Sequence, residues 1–181
     1  MTWFSHLFGH RHEDKEETIP ETQEVRNKES EIVASPVTGM VFPLNLANDP
    51  VFASGAMGQG IAITPLDQMI YAPFDGEVTI SFATGHAFGL RSDKGAEVLI
   101  HVGIDTIALN GEGFESFVAQ GDRVKLGDPI VRFDKEIIEK ADLETTTMVI
   151  ITNSTDYLSL TTLADETIQH GENLLRLDME A

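Results

Sequence analysis

The sequence predicts an all-β protein, an antiparallel β-sandwich or flattened barrel with only short helical turns. Three observations carry this prediction. From residue 32 onward the chain consists of short β-rich runs, Gly, Pro and Asp break these runs about every ten residues, and two turn-forming sequences each occur twice. A helical protein would show longer runs with an apolar period of about 3.6 residues. We therefore expect one folded domain at residues 32–181, behind a leader at residues 1–31.

The leader differs from the rest of the chain in composition. Residues 11–31 are almost purely polar, which is typical of a flexible segment that cannot bury a core. Before them, Trp3, Phe4, Leu7 and Phe8 have the spacing of one helical face. This leaves two interpretations open, a short amphipathic membrane anchor or a loose apolar tail. Since so short a helix is marginal alone, the tail is favoured, and we expect at most weak membrane contact.

The folded part is predicted to contain eight strands and few helical turns. The strands are expected at residues 41–44, 60–64, 76–82, 87–92, 97–102, 130–133, 148–152 and 174–178. Helical turns are expected at residues 114–119 and 134–141, while residues 160–168 are ambiguous. The remaining stretch, residues 46–63, has the composition of a loop but carries Val51, Phe52 and Met57. These apolar side chains either tuck under the loop or form a docking patch for a protein partner.

Two internal echoes predict pseudo-symmetry. SPVTGMV at residues 35–41 matches APFDGEV at residues 72–78, and QGDRVKLGDPIVRFD at residues 120–134 matches the chain end from residue 167. Proline fixes its own φ and glycine accepts a positive φ, so each motif suits a tight turn that leads into a strand. The echoes therefore indicate a barrel-like sandwich with long crossing connections.

Composition and charge exclude several classes of function. Thirty acidic and twelve basic residues give a net charge of −18, which disfavours binding of nucleic acid and favours a basic protein partner. The absence of cysteine excludes disulfides, cysteine-ligated metals and thiol catalysis. No run approaches the roughly eighteen apolar residues of a membrane span. The sequence therefore predicts a cytoplasmic protein.

Two histidines stand apart because each lies in an apolar, strand-like run. His86 and His101 flank residues 93–95, which have the composition of a hairpin turn. A two-residue turn places the histidines directly opposite each other, with Cβ atoms about 5 Å apart. A three-residue loop with a glycine bulge shifts the pairing by one residue. The register that relates the two histidines therefore stays open, and the hydroxyl of Thr84 is close enough in sequence to orient the His86 ring.

A pair of imidazoles in an apolar site has two chemical interpretations. A neutral imidazole can attack phosphorus while the second ring donates to the phosphoryl oxygens. The pair can also bind zinc, although a third ligand would be needed. The P-loop, G-x-S-x-G and H-E-x-x-H motifs are absent, and Lys94 lacks the surroundings of a biotinyl or lipoyl attachment site. Phosphoryl transfer and zinc binding therefore both stay open on the residues of this pair alone.

The segment GHAFGLRSDKGAEVLIHVGIDTIALNGEGF at residues 85–114 resembles the glucose-family enzyme IIA of the bacterial phosphoenolpyruvate-dependent sugar phosphotransferase system. Together with APFDGEV before it and GDRVKLGDPIVRFD after it, the resemblance covers residues 32–178. It implies an antiparallel sandwich of the barrel-sandwich hybrid type. It further implies that His101 accepts the phosphoryl group on Nε2, that His86 assists with support from Thr84, and that the Gly103 carbonyl holds the His101 ring.

The same resemblance implies partners for this phosphotransferase component. The donor would be the histidine phosphocarrier protein, and the acceptor would be the IIB domain of a sugar permease, phosphorylated on cysteine. Their docking face is expected to include Val51, Phe52, Phe88, Leu99 and Asp105. No cofactor is required, although zinc at His86 and His101 in a complex stays possible. The alternative is a regulatory binding module that controls other transporters or kinases according to its phosphorylation state.

Overall fold

The computed structural model describes residues 29–180, which form fourteen strands and two short α-helices. The strands are β1 Ser30–Ala34, β2 Gly39–Pro43, β3 Gln59–Pro65, β4 Met69–Tyr71, β5 Gly76–Ser81, β6 Ala87–Ser92, β7 Glu97–Val102, β8 Phe114–Ser116, β9 Arg123–Val124, β10 Pro129–Phe133, β11 Thr147–Ile151, β12 Ser159–Thr162, β13 Thr167–Ile168 and β14 Asn173–Asp178. The α-helices are α1 Pro50–Ala53 and α2 Lys135–Lys140, and 3-10 helices cover Leu44–Leu46, Thr106–Leu109 and Ser154–Asp156.

The strands form three antiparallel sheets around one main core. The largest sheet has the order β13-β2-β3-β11-β7-β6-β5-β9, and two smaller sheets have the orders β1-β14-β12 and β4-β10-β8. All three contribute fully buried aliphatic or aromatic side chains to the core, for example Ile100, Leu177 and Phe133. The predicted all-β sandwich with short helical turns is confirmed.

A second, smaller cluster lies against the other face of the largest sheet. It contains Met148 and Ile150 of β11, which are fully buried, together with Phe52 of α1 and Ile104. Asp49 begins α1, because its carboxylate accepts hydrogen bonds from the backbone N–H groups of residues 51 and 52 and thereby satisfies the free donors of the first turn. Helix α1 is thus anchored over the outer face of the central strands.

The internal echoes correspond to a real structural repeat. The N–H of Ala34 donates to Pro73 O at 3.0 Å, and the N–H of Tyr71 donates to Pro36 O at 2.8 Å, so each turn is bonded to the strand before the other. The second pair of echoes follows the same rule. Ala72 exchanges backbone hydrogen bonds with the turn at residues 127–128, and Ser35 exchanges the equivalent bonds with the turn at residues 171–172. The two halves therefore interlock around a pseudo-two-fold relation.

Each of the eight predicted strands is present within a few residues, and so is the helical turn at residues 134–141, where Asp134 caps α2. The predicted turn at residues 114–119 is wrong. Residues 114–116 are strand β8, which pairs with β10 and packs Phe114 against the core. Of the ambiguous residues 160–168, the first three lie in β12 and the last two form β13, while residues 163–166 are in no strand or helix.

The boundary of the leader also needs correction. Strand β1 begins at Ser30 and pairs with β14, and the side chain of Glu31 is only 3% exposed. Ser30 and Glu31, which were expected in the leader, therefore belong to strand β1. The rest of the leader, with its polar stretch and apolar N-terminal segment, lies outside the described residues. Within residues 29–180 no helix is long and apolar enough to cross a membrane.

Candidate functional site

His101 occupies the outer face of the largest sheet because of the alternation along β7. Val98, Ile100 and Val102 point into the main core and are at most 1% exposed. Leu99 and His101 point the opposite way and are partly exposed. Since successive side chains of a strand point to opposite faces, the apolar run around His101 fixes its ring at the surface.

His86 reaches His101 from the end of the neighbouring strand. It precedes β6, its carbonyl accepts the N–H of Val102 at 2.7 Å, and its side chain is 4% exposed. The two ring centroids are 5.0 Å apart with planes 78° from parallel, an edge-to-face arrangement. The structure thus brings together the two histidines that the sequence singled out.

The hairpin between them adopts the second of the two predicted registers. Ala87, rather than His86, lies opposite His101. The loop holds three residues, because the Ser92 hydroxyl accepts N–H groups from residues 94, 95 and 96 while Gly95 has φ of 110°. The pairing is shifted by one residue as a result.

The Nδ1 atoms of the two rings have different partners. The Nδ1–H of His101 donates to the carbonyl oxygen of Gly103 at 2.8 Å. A carbonyl oxygen can only accept, so the proton sits on Nδ1 and the lone pair of a neutral ring is on Nε2. Nδ1 of His86 lies 2.5 Å from the hydroxyl oxygen of Thr84, which can donate or accept. Gly103, Thr84 and both histidines therefore lie where the resemblance implied.

Burial keeps both imidazoles neutral near pH 7. The pKa of His86 is lowered to about 4, first by burial and then by the nearby His101. Burial also lowers the pKa of His101, although the Gly103 hydrogen bond and the carboxylates of Asp49 and Asp105 oppose this shift. A ring of lowered pKa has a free lone pair at neutral pH, which a nucleophile requires.

The surface around the two rings combines apolar side chains with carboxylates, and we call it the histidine face. Val51 and Phe82 are 56% and 42% exposed, and Leu99 is partly exposed beside His101. Asp105 is exposed at the rim with φ of 57°, as expected from the sequence. Phe52 is 7% exposed, and its ring centroid lies 4.9 Å from that of His101. It therefore supports the His101 ring more than it presents a surface of its own.

The expectation that Phe88 belongs to the docking face is wrong. Phe88 is completely buried in the main core. It pairs with Ile100, and both point inward. The register with His86 opposite His101 would have paired Phe88 with Leu99 on the outer face, and a shift of one residue moves it to the other side of the sheet.

Two residues of the site were missed by the sequence reasoning. Phe82 contacts His86 with ring centroids 5.4 Å apart, and Asp49 raises the pKa of His101. Asp49 was accessible in principle, since an Asp followed by Pro is a helix start signal and locates α1. The sequence gives no such indication for Phe82, because the face of the sheet to which its side chain points depends on a register shift in β5 after Val78.

Comparisons with known proteins agree with this geometry. The family profile described as phosphoenolpyruvate-dependent sugar phosphotransferase system, EIIA 1, matches residues 31–157. A PTS system glucose-specific EIIA component from Bacillus anthracis is 38% identical over 168 residues, which cover 93% of this chain and 93% of that protein. The glucose permease IIA from Mycoplasma capricolum superposes with a TM-score of 0.77 at 32% identity, covering 82% of this chain and 96% of the other.

Multidomain relatives match as well. A PTS system beta-glucoside-specific EIIBCA component from Bacillus subtilis (strain 168) is 46% identical over 127 residues, which are 70% of this chain and 21% of that protein. The chain spans between 21% and 24% of the length of such relatives.

Fold and site define an all-β protein that presents the Nε2 lone pair of a neutral histidine at an apolar, acid-rimmed surface. The chain belongs to the EIIA family of the phosphoenolpyruvate-dependent sugar phosphotransferase system, a family of phosphoryl-transfer proteins. The resemblance predicted from the sequence is thereby confirmed.

Proposed function

We propose that His101 carries a phosphoryl group between a histidine phosphocarrier protein and the IIB domain of a sugar permease. The observation that carries this proposal is the hydrogen bond from His101 Nδ1–H to Gly103 O at 2.8 Å. It leaves the lone pair on Nε2 of a partly exposed ring whose pKa is lowered by burial.

Two displacements at phosphorus make up the relay. In the first, Nε2 of His101 forms a bond to phosphorus while the bond from phosphorus to the donor imidazole breaks, and the donor keeps the electron pair. In the second, a thiolate of the IIB domain attacks the same phosphorus and the electron pair of the N–P bond returns to Nε2. Such transfers depend chiefly on in-line positioning and on stabilising the charge of the phosphoryl oxygens.

His86 and Thr84 supply that stabilisation in our proposal. When the Thr84 hydroxyl donates to Nδ1 of His86, the proton of the His86 ring resides on Nε2. This N–H then donates to an oxygen of the phosphoryl group on His101. Since the two ring centroids are 5.0 Å apart, one phosphoryl group can contact both rings.

The histidine face supports a partner that combines apolar and basic side chains. Val51 and Leu99 offer apolar surface, while Asp49 and Asp105 lie close enough to act on the charge of His101. The names of the EIIBCA relatives place EIIB, EIIC and EIIA parts in one component, which supports a IIB domain as acceptor. The phosphocarrier protein as donor rests on the resemblance and on the net charge of −18.

The relay as proposed requires no cofactor, because both displacements use groups supplied by the two proteins. Besides a phosphoryl group, His86 and His101 could bind zinc, since neutral imidazole is a good ligand for this metal. Within residues 29–180 no three His, Asp or Glu side chains converge on a common point. A zinc site at this pair therefore needs a ligand from a partner.

A relay is preferred to the regulatory binding module. Every relative named above is a component of a phosphotransferase system or a IIA permease protein, and none is described as a regulator. We place the relay in the cytoplasm, where a cysteine-free acidic protein is expected from its sequence.

Intact mass measurement tests the proposal. The full chain and its His101→Ala variant are incubated with phosphoenolpyruvate, enzyme I and the phosphocarrier protein. We expect the wild type to gain one acid-labile phosphoryl group and His101→Ala to gain none. Phosphorylation of both proteins would move the acceptor elsewhere, with His86 as the first residue to examine. A lack of mass gain in both would remove the relay altogether.

A further inference from the structure

Thr106 is buried completely beneath the histidine face, at the start of a 3-10 helix. Its hydroxyl donates to the carbonyl oxygen of Val102, four residues earlier, at 2.5 Å. The hydrogen bond closes the segment that follows His101 into a tight loop. Thr106 does not touch the surface where partners would bind, so its role must be exerted through this loop.

The methyl group of Thr106 packs against Gly103. A Cβ atom built on Gly103 would lie only 2.3 Å from Cγ2 of Thr106 and 2.8 Å from the carbonyl oxygen of Glu144. Gly103 has φ of 78°, and a glycine can leave this backbone conformation for many others at little cost in free energy. A glycine at this point needs an outside constraint, and Thr106 fills the space into which its α-carbon would otherwise move.

The peptide group after Gly103 is also held from its nitrogen side. The N–H of Ile104 donates to Glu144 O at 2.9 Å, and the N–H of Gly103 donates to Thr146 O at 3.0 Å. The peptide group that carries the Gly103 carbonyl is thus held at the Ile104 N–H, the preceding peptide is held at the Gly103 N–H, and Thr106 packs against the α-carbon between them. The Gly103 carbonyl oxygen accepts the Nδ1–H of His101.

From this arrangement we infer that Thr106 is a positioning residue that sets the tautomer of His101 through the Gly103 carbonyl. An imidazole without a fixed acceptor distributes its proton over both nitrogens, so a smaller fraction of molecules has a free Nε2 lone pair. Removal of the outer partner of a metal-ligating histidine costs about ten- to a hundredfold in affinity or activity, and we expect an effect of that order for His101. The inference rests on the proposed role of His101 as the acceptor.

The test compares three variants of the full chain. Thr106→Val removes the hydroxyl and keeps the shape, Thr106→Ser keeps the hydroxyl, and Ser35→Ala is the matched control. Ser35 is 1% exposed, and its hydroxyl donates to Val37 O at 2.7 Å, far along the chain from either histidine. The first measurement is the nitrogen chemical shifts of the His101 ring by NMR on unphosphorylated protein at pH 7.5. The second is the rate of phosphoryl acceptance in single-turnover experiments.

In Thr106→Val the Nδ1 and Nε2 shifts of His101 are expected to move toward each other, and acceptance to slow about tenfold. Thr106→Ser keeps the hydroxyl but loses the methyl group that packs against Gly103, so its shifts and rate should change in the same direction by a smaller amount. Ser35→Ala should keep the wild-type shifts and rates within about twofold. Unchanged shifts in Thr106→Val, with only the melting temperature lowered as in Ser35→Ala, would overturn the inference. Should the valine variant not fold, Thr106→Ala gives the same readout, and the same two outcomes decide.

The NMR readout keeps this test separate from the test of the relay. It needs neither donor nor acceptor protein, so an error about Thr106 appears as an unchanged tautomer in a protein that is still phosphorylated on His101. An error about the relay appears instead as phosphorylation of His101→Ala or as no mass gain in either protein.

Discussion

His101 and His86 are neighbours of the same residue type, yet they are held by groups of opposite character. A backbone carbonyl holds His101, and a side-chain hydroxyl holds His86. The carbonyl allows only one tautomer, whereas the hydroxyl follows whichever proton arrangement the ring adopts. The difference teaches that the nucleophile His101 needs a lone pair fixed on one nitrogen. The assisting residue His86 benefits from a hydrogen-bond partner that permits its proton to move.

The two rings also differ in how deeply they are buried. His86 is 4% exposed, whereas His101 is partly open to the histidine face. The pKa of His86 is lowered to about 4, so this ring enters the reaction without charge. A phosphoryl dianion beside it would raise its pKa again, because an opposite charge favours the cation. His86 can therefore take up a proton when charge develops and release it afterwards.

The largest expected effect comes from replacing the assisting residue, His86. In His86→Gln, acceptance by His101 should stay within about threefold of wild type, while transfer to the IIB domain slows about a hundredfold. Glutamine keeps an N–H donor for the phosphoryl oxygens, but it cannot be protonated and so cannot offset the charge that develops during the transfer. Quenched-flow measurement of each half reaction checks this.

The matched control for that variant is His170→Gln. This ring stacks on Tyr71 with centroids 4.2 Å apart and is half-exposed. Both half reactions should keep wild-type rates there. Normal transfer to IIB by His86→Gln would show that the two imidazoles do not have different roles.

A second effect concerns stability against pH. In the unfolded chain His86 has its ordinary pKa of 6.5, and in the folded protein about 4, so the unfolded state binds more protons between these values. Stability from the neutral ring is fully present above pH 6.5 and decreases as the pH falls toward 4. By pH 5 the loss amounts to about 2 kcal/mol.

Urea unfolding of wild type and His86→Gln at pH 7.5 and pH 5 measures this loss. The glutamine variant lacks the titrating ring, so its free energy of unfolding should fall less than that of wild type over the same interval. Equal decreases in both proteins would mean that His86 titrates normally in the folded state.

The smallest expected effect comes from replacing Thr84, whose hydroxyl contacts Nδ1 of His86. Thr84→Val removes the hydroxyl next to His86 and should slow transfer to IIB about tenfold, because the ring loses the partner that orients it. Thr84→Ser keeps the hydroxyl and should stay within about twofold. The half-reaction assay used for His86 measures both variants. Slower acceptance with normal onward transfer would place Thr84 behind His101 instead.

Much of this site was predictable because local sequence determines it. The bounds of β6 and β7 follow from apolar runs ended by turn residues, and the hairpin places both histidines at the same end of its two strands. The register itself was not predictable. It depends on the Ser92 hydroxyl accepting three N–H groups across the loop, which a composition of turn residues does not specify.

That single ambiguity explains the error at Phe88. A residue that pairs with Leu99 would lie on the histidine face, and one that pairs with Ile100 lies in the core. Six strands were not predicted as strands, namely β1, β4, β8, β9, β12 and β13. They have between two and five residues and owe their conformation to a distant partner strand, so their own sequence shows no period.

The reciprocal hydrogen bonds between the two repeated turns have a consequence for how the chain comes apart. The amides of Ala34 and Tyr71 each depend on a carbonyl supplied by the opposite repeat. Opening one repeat removes the acceptor that protects the amide of the other. The two repeats therefore lose protection against solvent hydrogen exchange together, as one cooperative unit, and a cut between them leaves two fragments of which neither closes its turn alone.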